Sequence, residues 1–213
     1  MYQKLSEEKR NDLLEAGIIE FADRGYERAS LGAIAKRAHM SVGVIYKYYD
    51  DKEAFFLACV RSCLEELSDV IGAVTAGTDS LENGIRTLIR TLITHAKNHK
   101  EINRMYHEIT TREAGGLSAM LAGEVESMAA TAYTELLKKA IDEGKCREDA
   151  DPRLFAFFFD NLFMMVQFSY CCEYYRERLK LYCGEDIFED EDLVADQLAR
   201  FIFGALGLRR ELI

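Results

Sequence analysis

Proline is nearly absent: Pro152 is the only one in 213 residues. With so few breakers, and with apolar residues recurring at helical rather than alternating spacing, an all-α fold is expected and no sheet is required. Long apolar runs are missing too. The longest, 154–159 and 162–166, are split by Asp160 and Asn161, so neither approaches the roughly 20 residues that cross a bilayer, and no membrane partner is expected. The N-terminus sets Glu7, Glu8 and Asp12 close behind Met1 and lacks the basic-then-apolar order of a secretory signal, so a cytoplasmic location is expected. A serine elbow, a phosphate loop and a dinucleotide fingerprint are also missing, which leaves no catalytic residue to name, no cofactor and no support for an enzyme.

The six cysteines, Cys59, Cys63, Cys146, Cys171, Cys172 and Cys183, lack paired metal-ligand spacing. They read as reduced thiols, mostly buried small hydrophobes, with redox sensing as the alternative because Cys59 and Cys63 can share a helix face and Cys171 and Cys172 are adjacent. His95 and His99 stand four apart, a spacing that can chelate a metal, but the sequence offers no third ligand and no metalloprotease glutamate between them, so no metal is assigned.

Charge is unevenly spread. The net charge is -10, yet the stretch 28–49 carries Arg28, Lys36, Arg37 and Lys47 and no acid, while 185–192 carries Glu185, Asp186, Glu189, Asp190, Glu191 and Asp192 and no base. The first stretch suits an anionic partner; the second reads as a solvated turn that also places acids at a helix start.

In the first helix Leu14, Ile18, Phe21 and Ala22 make one apolar face behind Glu7 and Glu8, and Gly25 can supply a left-handed end with Tyr26 folding back. Ser30 stands as an N-cap before the apolar face of Leu31, Ile34, Ala35 and Ala38, and Ser41 as a second one before 42–49. That last segment, Val-Gly-Val-Ile-Tyr-Lys-Tyr-Tyr, is poor helix material, but a lone strand would leave its backbone unpaired. As a helix it turns Ile45 and Tyr49 inward and Val42, Gly43, Val44, Tyr46, Lys47 and Tyr48 outward. Asp50 and Glu53 have capping-box spacing for the next helix, which should run through Phe55, Cys59, Cys63, Leu67 and Ile71 and end in 72–77. Further helices are expected at 81–98, 101–112, 117–143, 153–182 and 192–208.

Two short helices joined by a tight turn and braced by a longer one make a helix-turn-helix, whose second helix enters the major groove of DNA. Gly25-Tyr26, Ile34 to Ala38, Ser41 to Tyr49 and Lys52 to Phe55 together resemble the N-terminal signature of the TetR/AcrR family of bacterial transcriptional regulators. The resemblance implies a three-helix helix-turn-helix DNA-binding domain at 1–55, joined to a larger helical effector-binding and dimerisation domain at 56–213. It implies that Ser30 and Tyr46 hold phosphates, that Val42, Gly43, Val44, Lys47 and Tyr48 face the groove behind Ser41, and that Lys52 reaches the DNA backbone. Gly43 permits close approach, Val44 can meet a thymine methyl and Lys47 can donate to guanine. Two positions depart from the family's habit: His39 stands where the turn usually has glycine, and Val44 where threonine is frequent.

For the larger domain the resemblance implies a homodimer through the last two long helices, where Val194, Leu198, Phe201, Ala205 and Leu208, and Phe155, Phe159, Leu162 and Val166, form stripes. It also implies an effector pocket, for which Met105, Tyr106, Met128, Tyr133, Phe158, Met164 and Phe168 supply aromatic and flexible apolar walls. The function expected is a ligand-responsive regulator, a repressor released from a palindromic operator by a small, largely apolar or aromatic effector. A helical metal or redox sensor using His95, His99 or the cysteines is the alternative.

Overall fold

The computed structural model describes residues 5–76, 80–111 and 115–208; within helices it leaves the side chains of 68–71, 73–76, 111, 115–121, 124, 125 and 128 undescribed. No strand occurs among the described residues. The helices are α1 (Glu7–Arg28), α2 (Leu31–Arg37), α3 (Val42–Tyr48), α4 (Lys52–Ala76), α5 (Leu81–Asn98), α6 (Lys100–Thr111), α7 (Gly115–Asp142), α8 (Pro152–Cys171), α9 (Glu173–Cys183) and α10 (Glu191–Leu206), with a 3-10 turn at Asp186–Glu189. The chain forms two compact units, Met1–Leu67 with Glu101–Glu113, and Ser68–Lys100 with Ala114–Ile213. The first therefore takes in more chain than the 1–55 segment expected for a DNA-binding domain.

The core of the first unit is aromatic. Phe21, Phe55 and Phe56 are fully buried; Phe56 meets Phe21 and Tyr26 edge-on at 5.0 Å each, and Tyr49 meets Phe55 edge-on at 5.0 Å. Such edge-to-face pairs place the positive ring edge on the negative face and add to the burial term. Gly17 lets α1 and α4 approach, since a Cβ there would lie 2.6 Å from Cys59 Sγ and 2.7 Å from Phe55 Cζ. Leu13, Leu14, Ile18 and Phe21 of α1, Leu31, Ile34 and Ala35 of α2 and Ile45 of α3 close the core.

Three local expectations are revised here. Gly25 has positive φ but is not left-handed: at φ 70 and ψ 162 it kinks α1, which resumes to Arg28, a backbone region open essentially to glycine alone. The carboxylate of Glu108 on α6 sits against it and accepts from Tyr26 N–H at 2.9 Å. The cap of α4 is Asp51, whose Oδ1 accepts from Ala54 N–H at 2.8 Å, not Asp50. Helix α4 runs through Gly72 to Ala76; the side chain of Ile71 is outside the described set.

In the second unit α5 buries Ile85, Leu88, Ile89, Leu92, Ile93 and Ala96, an i, i+3, i+4 face that packs on α8 and α10. Ion pairs fasten its polar flank to α10: Arg86 with Asp196, Lys97 with Glu191, and Arg90 with Asp192 at 2.9 Å. The acidic run 185–192 thus finds cationic partners, and Asp190 caps α10 by accepting from Leu193 N–H at 2.8 Å.

The helix expected at 153–182 is broken in two. Cys172 takes φ -115 and ψ 127 between α8 and α9, and the break is stabilised by Tyr175 folding back on Phe168, ring centroids 5.3 Å apart. Helix α8 has 20 residues and is apolar enough to cross a membrane by length and composition, contrary to the expectation from its interrupted runs. Its inner face, Ala156, Phe159, Phe163, Gln167 and Phe168, is buried in the second unit, as in a core helix.

Candidate nucleic-acid interface

The interface is built from the turn outward. After α2, His39 takes φ 53, the one positive φ at a non-glycine among the described residues. Its N–H donates to Lys36 O at 3.2 Å and Met40 N–H donates to Ala35 O at 2.8 Å. These are the two bonds of a Schellman motif, which satisfy carbonyls at the end of α2 and swing the chain into α3. Ser30 caps α2 by accepting from Ala33 N–H at 3.4 Å, and its own N–H donates to Oε1 of the buried Glu20 at 3.3 Å. The carboxylate of α1 thereby fixes where α2 begins.

Helix α3 is anchored through Ile45, 0% exposed, and through the half-buried Tyr49. Around these, Ser41, Gly43, Tyr46, Lys47 and Tyr48 are exposed and Val42 and Val44 half-exposed. Tyr46 is 57% exposed and Tyr48 37%, large areas for aromatic rings to leave in water without a use. Ser41 occupies the cap position but its hydroxyl makes no capping bond, so it can serve a ligand instead. A Cβ on Gly43 would meet only Ser41 Oγ, at 3.7 Å; the fold itself tolerates a side chain there. Lys47 Nζ lies over the Tyr48 ring, 5.2 Å from its centroid. Arg28, Lys36 and Arg37 are exposed as well.

Lys52 is placed differently from the expectation of a cation reaching outward. Its ammonium donates to Glu27 O at 3.1 Å and lies 4.8 Å from the Tyr26 ring centroid. It answers a carbonyl at the C-terminal end of α1, where a cation is favoured. The kink at Gly25 creates that carbonyl, and nothing in the sequence around Lys52 signals it. Arg104, paired with Asp23 at 3.5 Å, and Glu108 are contributions of α6 to this unit that the sequence reading missed.

The residues proposed for an effector pocket belong to both units. Met105 is fully buried and Tyr106 partly buried in the first unit. Tyr133 and Phe168 are buried in the second, with Met164 half-buried; the Met128 side chain is outside the described set. Phe158 is 52% exposed. Tyr133 meets Phe163 edge-on at 5.8 Å. Burial pushes the Asp160 carboxyl up to about 6, the charge of Glu126 adding to it. Burial likewise raises the Tyr133 hydroxyl, with Asp160 and Glu126 adding. A carboxyl and a phenol thus stand in apolar surroundings between α7 and α8.

Cys59 and Cys63 are buried, and burial raises both thiols: Cys59 well above the ordinary range, with Cys63 adding, and Cys63 to about 12, with Glu66 adding. They hold almost no thiolate at neutral pH and act as small hydrophobes. His95 is buried and His99 exposed, their rings stacked 4.7 Å apart.

The family model for bacterial regulatory proteins of the tetR family matches residues 13–59, the stretch that contains α2, the turn and α3. The transcriptional repressor AcnR of Corynebacterium diphtheriae is 29% identical over 91 residues, 43% of this chain and 43% of that protein; the match spans less than half the length of that relative. Over nearly the whole chain the fold is similar to the fatty acid degradation regulator FadR of Bacillus halodurans, with TM-score 0.76, 18% identity and coverage of 92% of this chain and 99% of that one. It is also similar to the regulator FadR of Bacillus subtilis in complex with stearoyl-CoA, with TM-score 0.71, 14% identity and coverage of 91% and 97%. With its helix-turn-helix built as above, the segment 13–59 matches the tetR family of bacterial regulatory proteins, and the fold of the chain is similar to that of regulators of this kind.

Proposed function

We propose that this protein is a ligand-responsive repressor of the TetR family, not an enzyme, acting as a cytoplasmic homodimer on a palindromic operator. The observation that carries the reading is α3: a helix of valine, glycine and tyrosine, held through Ile45, that exposes Gly43, Tyr46, Lys47 and Tyr48. Residues that weaken a helix are kept where they gain contact with a duplex. Ser30, Ser41 and Tyr46 bind phosphate oxygens; Val42, Gly43, Val44, Lys47 and Tyr48 meet base edges. Lys52, while bonded to Glu27 O, still has donors to offer a phosphate.

The effector is small and largely apolar or aromatic, received among α7 and α8 near Tyr133, Met164 and Phe168. The stearoyl-CoA held by a neighbour of the same fold supports an apolar chain as one such class. Binding shifts the paired α3 helices out of the spacing of about one helical turn that successive major grooves need. The dimer forms through α8 and α10.

Selection of bound duplexes from a random pool tests this directly. A two-fold symmetric site should emerge, with affinity falling about tenfold or more between low and physiological salt. Retention of no sequence, or affinity indifferent to salt, would overturn the reading.

A further inference from the structure

Outside the DNA-binding face, the α8–α9 junction holds two adjacent thiols. We propose that Cys171 and Cys172 form a chelating dithiol that captures a thiophilic centre of the trivalent arsenical class. Their sulfurs lie 3.7 Å apart. In a continuous helix adjacent side chains point about 100° apart and do not meet. Here Cys172 leaves the helix with φ -115 and ψ 127, and the break brings its sulfur beside that of Cys171. At a soft-ion bond length of about 2.3 Å, two sulfurs so spaced subtend roughly 107° at the bound atom, the angle a pyramidal or tetrahedral centre requires.

The same geometry disfavours the rival chemistry. Adjacent Cα atoms are about 3.8 Å apart across a trans peptide, short of the roughly 4.4 Å at which ordinary disulfides begin. The pair therefore resists closing on itself and remains available to a ligand that accepts two bonds.

Its surroundings fit such a ligand. Cys171 is buried and its Sγ donates to Gln167 O at 3.3 Å, which holds its rotamer; Cys172 is half-buried and open to attack first. Cys183 stands exposed and alone at the end of α9, and Cys59 and Cys63 are suppressed by burial. With an organoarsenic oxide, two As–S bonds form and the As=O bond breaks. The oxygen leaves as water with both thiol protons, and no oxidation state changes.

Phenylarsine oxide added to the reduced full-length protein is the test, read by intact mass and peptide mapping. The expected result is one phenylarsenic unit per chain, with the loss of two hydrogens, on the peptide containing Cys171 and Cys172. It should survive excess monothiol and be removed by a dithiol. Cys172→Ser should lower retention at least about tenfold, and Cys183→Ser should leave it unchanged. Label spread over single cysteines, label mapped to Cys59 and Cys63, or label stripped by monothiol overturns the proposal. Mapping on the parent protein decides the matter even where Cys172→Ser fails to fold, and because no DNA is involved the outcome is independent of the operator experiment.

Discussion

At the residue scale the most informative side chain is the missing one at position 43. Its Cβ would meet only Ser41 Oγ, at an ordinary 3.7 Å, and glycine in a helix is worth about 1 kcal/mol less than alanine. Gly43→Ala should therefore raise stability by roughly 0.5–1 kcal/mol in urea denaturation while weakening operator binding. An alanine variant that binds DNA as tightly as the parent would show that glycine is not there for a duplex. Asp160 gives a second residue-level expectation. Its folded carboxyl titrates at about 6, against 3.8 unperturbed. The folded state thus binds the proton more tightly than the unfolded chain does. The resulting stabilisation is complete below about pH 4 and is lost as pH rises through about 6. Asp160→Asn should match the parent near pH 4 and exceed it at pH 7.5 by on the order of 1–3 kcal/mol, as measured by denaturant titration at both values. Neither feature was visible as spacing: glycine 43 was legible from its odd company, whereas the burial of Asp160 depends on which face α8 turns inward.

At the element scale the sequence predicted most where local chemistry decides and least where tertiary contacts do. Helix α2 follows from the cap at Ser30 and its apolar periodicity, α5 from its apolar periodicity, and α3 from the lack of any partner for a strand, Ser41 taking the cap position without a capping bond. The division of 153–182 was illegible because no glycine or proline marks Cys172, and it is the contact of Tyr175 with Phe168 that favours the break. In the stripe of α8, Phe159 is buried and Phe155, Leu162 and Val166 are half-buried, while Leu154, Phe157 and Phe158 outside it point out. Apolar residues cover both faces of that helix, so periodicity alone does not say which is inner. The turn at His39 illustrates the opposite case, a position where glycine is usual and where histidine takes φ 53. Left-handed backbone disfavours any Cβ by about 1 kcal/mol, so His39→Gly should raise the melting temperature by a few degrees without moving α3. Chemical shifts of Ile45 and Tyr49 in the variant would reveal any displacement.

At the scale of the whole molecule the question is what covers the apolar surface left on the second unit. Phe157 is 62% exposed, Phe158 52%, Leu154 54% and Phe201 64%. On α10 the inner face is Ala195, Ala199, Ile202 and Leu206, so the stripe of Val194, Leu198, Phe201 and Ala205 is half-exposed or exposed. Large rings left in water on two helices suit the proposed dimer interface, and the proposed two-fold operator would need a two-fold protein. Phe157→Glu combined with Phe201→Glu removes no core contact, so the double variant should keep its helical content by circular dichroism. It should sediment as a single chain where the parent sediments as two. Operator affinity should then fall by ~100-fold or more, because each half-site must be bound without the effective concentration its tethered twin supplies. A double variant that stays dimeric would place the interface elsewhere, and one that is monomeric yet binds the full operator as tightly would remove the need for symmetry.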